Sequence, residues 1–261
     1  MSDRIFTFWG GGRLGFIERL CLTSMVNAGH IVDLYSFDRD LQAPDGVNVR
    51  SADNVISADK TPKNGFGSWA LFADIFRYHG LQQNAGIWLD LDVVLIKPLH
   101  GMDDHIFGWQ DEGTINNAVL CLPQNSACLA SLLALSRASP FIAPHWRRRQ
   151  KAIQWLRGLV GKDLPVEKAE WGALGPFALT YYVKNTGLRQ FSQPPEVFYP
   201  VPFDKASTFF EPDPGYVTAR ITPNTRAVHL WNDMIKDLKK QPPHPKSFIG
   251  RLCEQYEIDP D

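Results

Sequence analysis

From Ile87 to Ile96 every residue is apolar except Asp90 and Asp92. A run of this length and composition reads as a buried strand, and residues two positions apart then project to the same side. Two carboxylates on one side of a buried strand repel each other and lose solvation unless a cation sits between them. The fold therefore has to bring this strand to a polar crevice. The residues just upstream, Trp69–His79, carry Leu71, Phe72, Ile75 and Phe76 at helical spacing, with Ser68 as an N-cap and Gly80 as the stop. On that helix Asp74 and Arg77 stand three apart and share a face. They form either a surface ion pair of small energetic value or part of a ligand site next to the two aspartates.

The N-terminal segment constrains the topology. Arg4–Trp9 is a short apolar strand running into Gly10-Gly11-Gly12. Residues 15–28 form a helix through Phe16, Leu20, Met25 and Ala28, closed by Gly29, and Ile31–Phe37 is a second strand. This βαβ unit implies parallel strands with a ligand crevice at their carboxyl ends. The glycine loop is not the G-x-G-x-x-G dinucleotide pattern and no P-loop lysine follows it. Trp9, at the strand end, is either a core residue or a platform for a nucleobase.

Downstream, a short strand near Val47–Val49 is followed by strands at Ile106–Trp109 and at Ala118–Pro123, the latter preceded by the polar pair Asn116-Asn117. Residues 126–136 are helical. His145–Gly161 is a helix in which Trp146, Ile153, Trp155, Leu156, Leu159 and Val160 alternate with Arg147, Arg148, Arg149, Lys151 and Arg157. Such a helix either rests on an anionic bilayer or phosphorylated lipid, or is a solvated face on a packed helix. Gly175-Pro176 opens another helix reaching Val183. Proline-rich loops and short strands fill 191–226. Ala227–Asn232 is a short strand that ends in a polar patch containing His229, and the chain from Asp237 is a mobile tail or a final short helix.

Composition narrows the function classes. A net charge of −1 gives no bulk electrostatic reason to bind nucleic acid. The four cysteines, Cys21, Cys121, Cys128 and Cys253, lack zinc-site spacing. No apolar run reaches 18 residues, so no membrane span is expected, and a cytoplasmic protein is the simplest reading.

Paired carboxylates in an α/β crevice can hold a divalent metal on phosphates, act as acid and base on a glycoside, or serve phosphoryl chemistry. Both aspartates lie on one side of any substrate, which disfavours the glycosidase arrangement of two opposed carboxyl groups. A metal bridging a nucleoside diphosphate fits best.

Asp74-Ile75-Phe76-Arg77-Tyr78, followed by Trp88-Leu89-Asp90-Leu91-Asp92 and then Lys97-Pro98-Leu99, resembles the DXD glycosyltransferases of the GT-A fold. The family 32 type is the nearest in pattern. It includes α-galactosyl- and mannosyltransferases, capsular-polysaccharide enzymes and, more distantly, the glucosylating clostridial toxins. The resemblance implies a Rossmann-like mixed sheet flanked by helices. It implies Trp9 against the donor base, Asp74 and Arg77 on the donor sugar and phosphate, and Asn117 beside the donor sugar. It further implies Asp92 and His229 on Mn²⁺ or Mg²⁺, Asp90 shared between metal water and donor hydroxyls, and Asn232 toward a phosphate. Gly175-Pro176 corresponds to a turn on the acceptor side. Relatives often carry a tryptophan two residues after that asparagine; Met234 stands there in this chain, leaving Trp231 as the nearest substitute.

The expectation is a single catalytic domain over 1–236, with a donor half at 1–125, an acceptor half at 126–236 that includes the basic helix 145–160, and a C-terminal tail at 237–261. Its activity would be metal-dependent, retaining transfer of a sugar from a nucleotide diphosphate donor, UDP-linked, to a glycan or lipid-linked glycan in bacterial surface polysaccharide (capsule or lipopolysaccharide) synthesis. The enzyme would work in the cytoplasm or at the inner face of the plasma membrane, with peripheral contact through 145–160. The alternatives are a non-catalytic nucleotide-sugar or glycan-binding module and a metal-dependent phosphohydrolase.

Overall fold

Alternation along β1 (Arg4–Trp9) sends Ile5 into one apolar layer and Phe6 and Phe8 into another, and this division organises the molecule. The computed structural model describes residues 3–57 and 69–260. Helix α1 (Phe16–Asn27) ends in a Schellman arrangement, with Gly29 at φ +84 and His30 N–H bonded to Met25 O. It leads to β2 (Ile31–Ser36) and β3 (Val47–Ser51). Then come α2 (Ala70–Gln82), β4 (Ile87–Leu89), β5 (Val93–Leu95), β6 (Ile106–Trp109) and β7 (Ile115–Cys121). The second half holds α3 (Ala127–Ser136), α4 (Arg148–Gly158), α5 (Pro176–Asn185), α6 (Pro195–Phe198) and α7 (Gly215–Thr218). Strand β8 (Ala227–His229), α8 (Asn232–Ile235) and α9 (Phe248–Gln255) complete the chain.

The main sheet has six strands in the order β3-β2-β1-β4-β7-β6. The first four are parallel, and β7 and β6 run antiparallel. One face packs on α1 and α9, the other on α2, α3 and α5. The expected Rossmann-like mixed sheet flanked by helices is therefore what the chain forms.

The run Ile87–Ile96 is not one strand. It splits into β4 in the main sheet and β5 in a separate two-stranded ribbon with β8. The aspartates lie in the turn between them, where Val93 N–H bonds to Asp90 O at 3.2 Å. Two ionisable groups inside a continuous sheet would both be walled by apolar neighbours; a turn lets each find its own partners.

Other differences have local causes. Helix α2 continues through Gly80 to Gln82, because a Cβ at position 80 would lie 2.2 Å from the Phe6 ring: this glycine permits close helix–sheet packing and does not stop the helix. Ser68 lies outside the described residues. Asn116 and Asn117 sit inside β7 instead of ahead of it. The basic helix is shorter than expected, Arg148–Gly158. Between 191 and 226 the chain makes short helical turns in place of strands, its only ladder contact among the described residues being the Gly108–Gln193 bridge; prolines at 194, 195, 202, 212 and 214 remove the donors a strand needs. The segment after 237 ends in α9, whose Phe248, Ile249, Leu252 and Cys253 are buried in the α1-side core.

Candidate active site

The parallel register of β1 with β4 pairs Phe6 with Trp88, so Trp9 and the Asp90–Asp92 turn emerge at the same carboxyl edge of the sheet. The turn divides the two carboxylates between the two layers. Asp90 follows the α2 side: its Oδ1 accepts from Trp88 Nε1 at 2.6 Å and lies 3.1 Å from Arg77 Nη2. Asp92 turns to the ribbon: its Oδ2 accepts from the backbone N–H of Asn232 at 2.7 Å and lies 3.1 Å from His229 Nε2. Ligand atoms of Asp90, Asp92 and His229 nevertheless all fall within 4.8 Å of one another.

Their protonation differs accordingly. Burial raises the Asp90 carboxyl, Arg77 opposes that, and the Asp92 charge adds to it, so the net shift is upward. Burial also acts on Asp92, but the His229 imidazole and the Asn232 N–H outweigh it and hold Asp92 below the usual carboxylate range. Of the two, Asp90 binds a proton the more readily. Two hard carboxylate donors and one imidazole within 4.8 Å form a set that suits Mg²⁺ or Mn²⁺.

Arg77 is 4% exposed and directs its guanidinium at the protein. Its Nε donates to Ala73 O at 3.3 Å and Nη1 to Asn117 O at 2.6 Å, while Nη2 faces Asp90 at 3.1 Å and Asp74 at 3.5 Å. The Trp88 ring lies 4.8 Å beneath it. The Asn117 amide in turn donates to Asp74 Oδ1 at 2.8 Å. Arg77 is the clamp that sets Asp74, Asp90 and Asn117 relative to one another, and little of it is left to meet a ligand. Burial pushes the Asp74 carboxyl upward, with Arg77 and Asn117 offsetting part of the effect.

His229 ends β8 against β5 and is 6% exposed. Its ring centroid lies 4.1 Å from that of Trp231, with the two planes inclined at 55°. Trp231 adopts φ +60, a left-handed conformation that bulky residues avoid. Its indole Nε1–H donates to Val201 O at 2.8 Å, and the next peptide N–H binds Asp92. The strained backbone is thus what aims Asn232 N–H at the carboxylate. Trp231 itself is 9% exposed and packs against His229. The Asn232 side chain points elsewhere, accepting from Lys239 Nζ at 2.6 Å; Lys239 also pairs with buried Glu18 at 2.9 Å.

Trp9 is partly exposed at the crevice edge, its Nε1 bonded to Gly12 O at 2.6 Å. A Cβ at Gly11 would lie 2.7 Å from the Trp9 ring, and one at Gly10 would lie 2.3 Å from the Trp69 ring. The glycine run exists because two tryptophan rings lie on it. A Cβ at Gly175 would come within 2.8 Å of Asp74 Oδ2 and 3.1 Å of Asn117 Nδ2, so the turn before α5 closes directly over these two residues.

Four residues outside the expected site set contribute to it. Trp88 braces Asp90 and Arg77. Tyr199, fully buried between the proline turns, packs 5.7 Å from the His229 ring and accepts from Val119 N–H at 3.4 Å; burial pushes its hydroxyl far up, so it stays protonated. Lys239 with Glu18 sets the Asn232 side chain. Of these only Trp88, adjacent to the Asp90–Asp92 run, carried a signal in the sequence.

The family model described as the alpha 1,4-glycosyltransferase conserved region matches residues 167–256, the stretch that contains Gly175, His229 and Asn232. The lactosylceramide 4-alpha-galactosyltransferase of Homo sapiens is 25% identical over 173 residues, covering 62% of this chain and 41% of that protein. That of Pongo pygmaeus is 25% identical over the same length, covering 62% of this chain and 67% of it, and that of Mus musculus is 24% identical over 191 residues, covering 71% and 47%. The chain thus spans less than half the length of the human and mouse relatives. Among solved structures, the PaToxG glycosyltransferase aligns with a TM-score of 0.43 at 14% identity, covering 73% of this chain and 75% of that one. The sequence matches are thus similarities to glycosyltransferases, and they support an enzyme of that class.

Proposed function

We propose that this enzyme is a metal-dependent, retaining glycosyltransferase that takes a sugar from a nucleoside diphosphate donor, UDP-linked, and passes it to a glycan or lipid-linked glycan in the assembly of a bacterial surface polysaccharide. The observation that carries the proposal is the convergence of Asp90, Asp92 and His229 within 4.8 Å at the carboxyl edge of the sheet. The names of the relatives, which specify transfer of galactose to a glycolipid, support a lipid-linked acceptor.

Asp92, His229 and Asp90 would hold a divalent ion, whose positive charge would offset the negative charge of a departing diphosphate. The chain's own residues do the rest. Asp74 and Asn117, fixed by Arg77 and covered by Gly175, present polar atoms for sugar and ribose hydroxyls. Trp9 offers a flat face at the crevice edge for the base. Buried Arg77 adds a fixed positive charge behind Asp90, in a low-dielectric position where such charges act strongly.

The test is a panel of nucleotide sugars incubated with Mn²⁺ or Mg²⁺, read as release of nucleoside diphosphate. Metal-dependent release from one donor, abolished by EDTA, is expected. Full release in EDTA would refute the metal role. Release of inorganic phosphate alone would mark a phosphohydrolase, and tight donor binding without turnover would mark a binding module.

A further inference from the structure

Helix α4 is built inside out. Its inward stripe is Lys151, Gln154 and Gly158, at helical spacing, and the docking is polar. Gln154 Nε2 donates to Leu164 O at 2.6 Å and to Phe141 O at 3.1 Å, and its Oε1 accepts from Leu164 N–H at 3.1 Å. Lys151 Nζ donates to Pro144 O at 2.6 Å. A Cβ at Gly158 would lie 2.7 Å from the Pro140 ring. The apolar residues face outward: Ile153 is 40% exposed, Leu156 56%, Leu159 65% and Val160 66%, with Trp155 on the flank at 54%. A surface helix of a soluble protein normally has the opposite arrangement.

Charge identifies what covers this face. Arg147, Arg148, Arg149, Arg157 and Lys162 are all exposed, and no acidic residue occurs between His145 and Lys162. The chain as a whole carries −1, so the cations are concentrated here. Trp171, 73% exposed, follows Glu170, which accepts from Trp146 Nε1 at 2.7 Å just before α4. A free anion would satisfy the arginines and leave the leucines wet. A second copy on a two-fold axis would bring the same cations face to face. A surface that is apolar within and anionic at its boundary satisfies both sets, with tryptophans at the junction.

We propose that α4, its following turn and Trp171 dock the protein on an anionic lipid bilayer. The docking does not depend on the reaction proposed above. It does place the crevice near the lipid, because Trp171 lies four residues before Gly175 and four residues span at most about 14 Å.

The test is flotation of the full chain with vesicles of phosphatidylcholine, with and without phosphatidylglycerol. At low salt the protein is expected to float with the anionic vesicles only, accompanied by a blue shift in tryptophan emission that Trp155→Phe reduces. Molar salt, which shortens the Debye length to about 3 Å, should release it. Arg148→Gln with Arg149→Gln should weaken binding about fivefold per cation. Leu156→Gln with Val160→Gln should weaken it tenfold or more while leaving donor hydrolysis unchanged. All these positions are exposed, so the variants stay folded, which circular dichroism verifies. Absence of flotation at low salt, or flotation indifferent to both pairs of substitutions, would overturn the proposal. So would a lipid-free dimer, seen by sedimentation velocity, that the Leu156 and Val160 changes abolish.

Discussion

His229 Nε2 lies 3.1 Å from Asp92 Oδ2, across the antiparallel pairing of β5 with β8. The ladder that pairs Val93 with His229 also pairs Val94 with Val228 and Leu95 with Ala227, all buried. The contact is therefore prebuilt by core packing, and a ligand need not organise it. A site assembled in advance loses little energy to reorganisation when charge develops nearby.

Asp92→Asn keeps an acceptor for Asn232 N–H and removes the charge. Donor turnover should fall by about 10²–10³-fold, with an unfolding midpoint close to that of the unaltered protein. Product release assayed beside a thermal melt checks both halves. Turnover within a fewfold of normal would remove Asp92 from the ion-binding set.

Arg77→Leu leaves Asp74 and Asp90 without their shared cation inside a buried cluster. Breaking a buried pair from one side costs about 3–5 kcal/mol, so urea unfolding should show a loss of that order. Arg77→Lys should lose less stability yet still lose activity, because an ammonium cannot span Asp74, Asp90 and Asn117 O together.

Gly175→Ala would press a methyl group against Asp74 and Asn117. Displacing such groups by an ångström can cost about 10²-fold in rate, and that loss should appear in turnover more than in stability. Gly12→Ala, with open space around it, serves as the control and should behave as the unaltered protein.

His30 supplies a pH dependence away from the site. Its Nδ1–H donates to Asp3 O at 3.1 Å and its Nε2 accepts from Leu99 N–H at 3.0 Å, so the ring is neutral as folded. Burial lowers its pKa from 6.5, helped by His100 at 4.2 Å and opposed by the Asp3 carbonyl and carboxylate. Between the lowered folded value and 6.5 the unfolded chain binds more protons at this position. This contribution to stability is therefore complete above 6.5 and is lost as pH falls through that window. An NMR titration of the His30 ring giving a value above 6.5 would contradict the assignment.

Local pattern was sufficient for much of the fold. Alternation in Arg4–Trp9, helical spacing with Gly29 behind it, the helical stretch 126–136 and Pro176 as a helix start each specify a backbone conformation within a few residues, and each element formed there. Residue type and spacing also singled out Asp90, Asp92, Asp74 and Arg77, and the family resemblance added His229. What lay beyond the sequence depended on contacts between distant segments. Gly80 looks like a helix stop until the Phe6 ring is placed against it. Asp90 and Asp92 look like twins on one strand until β5 leaves the main sheet to pair with β8, after which one faces Arg77 and the other His229. The pattern of α4 marks it as amphipathic, but only the Gln154 and Lys151 hydrogen bonds show that its polar stripe is the buried one. Periodicity encodes the shape of a segment; which face is covered, and by what charge, is decided by the partner the rest of the chain brings to it.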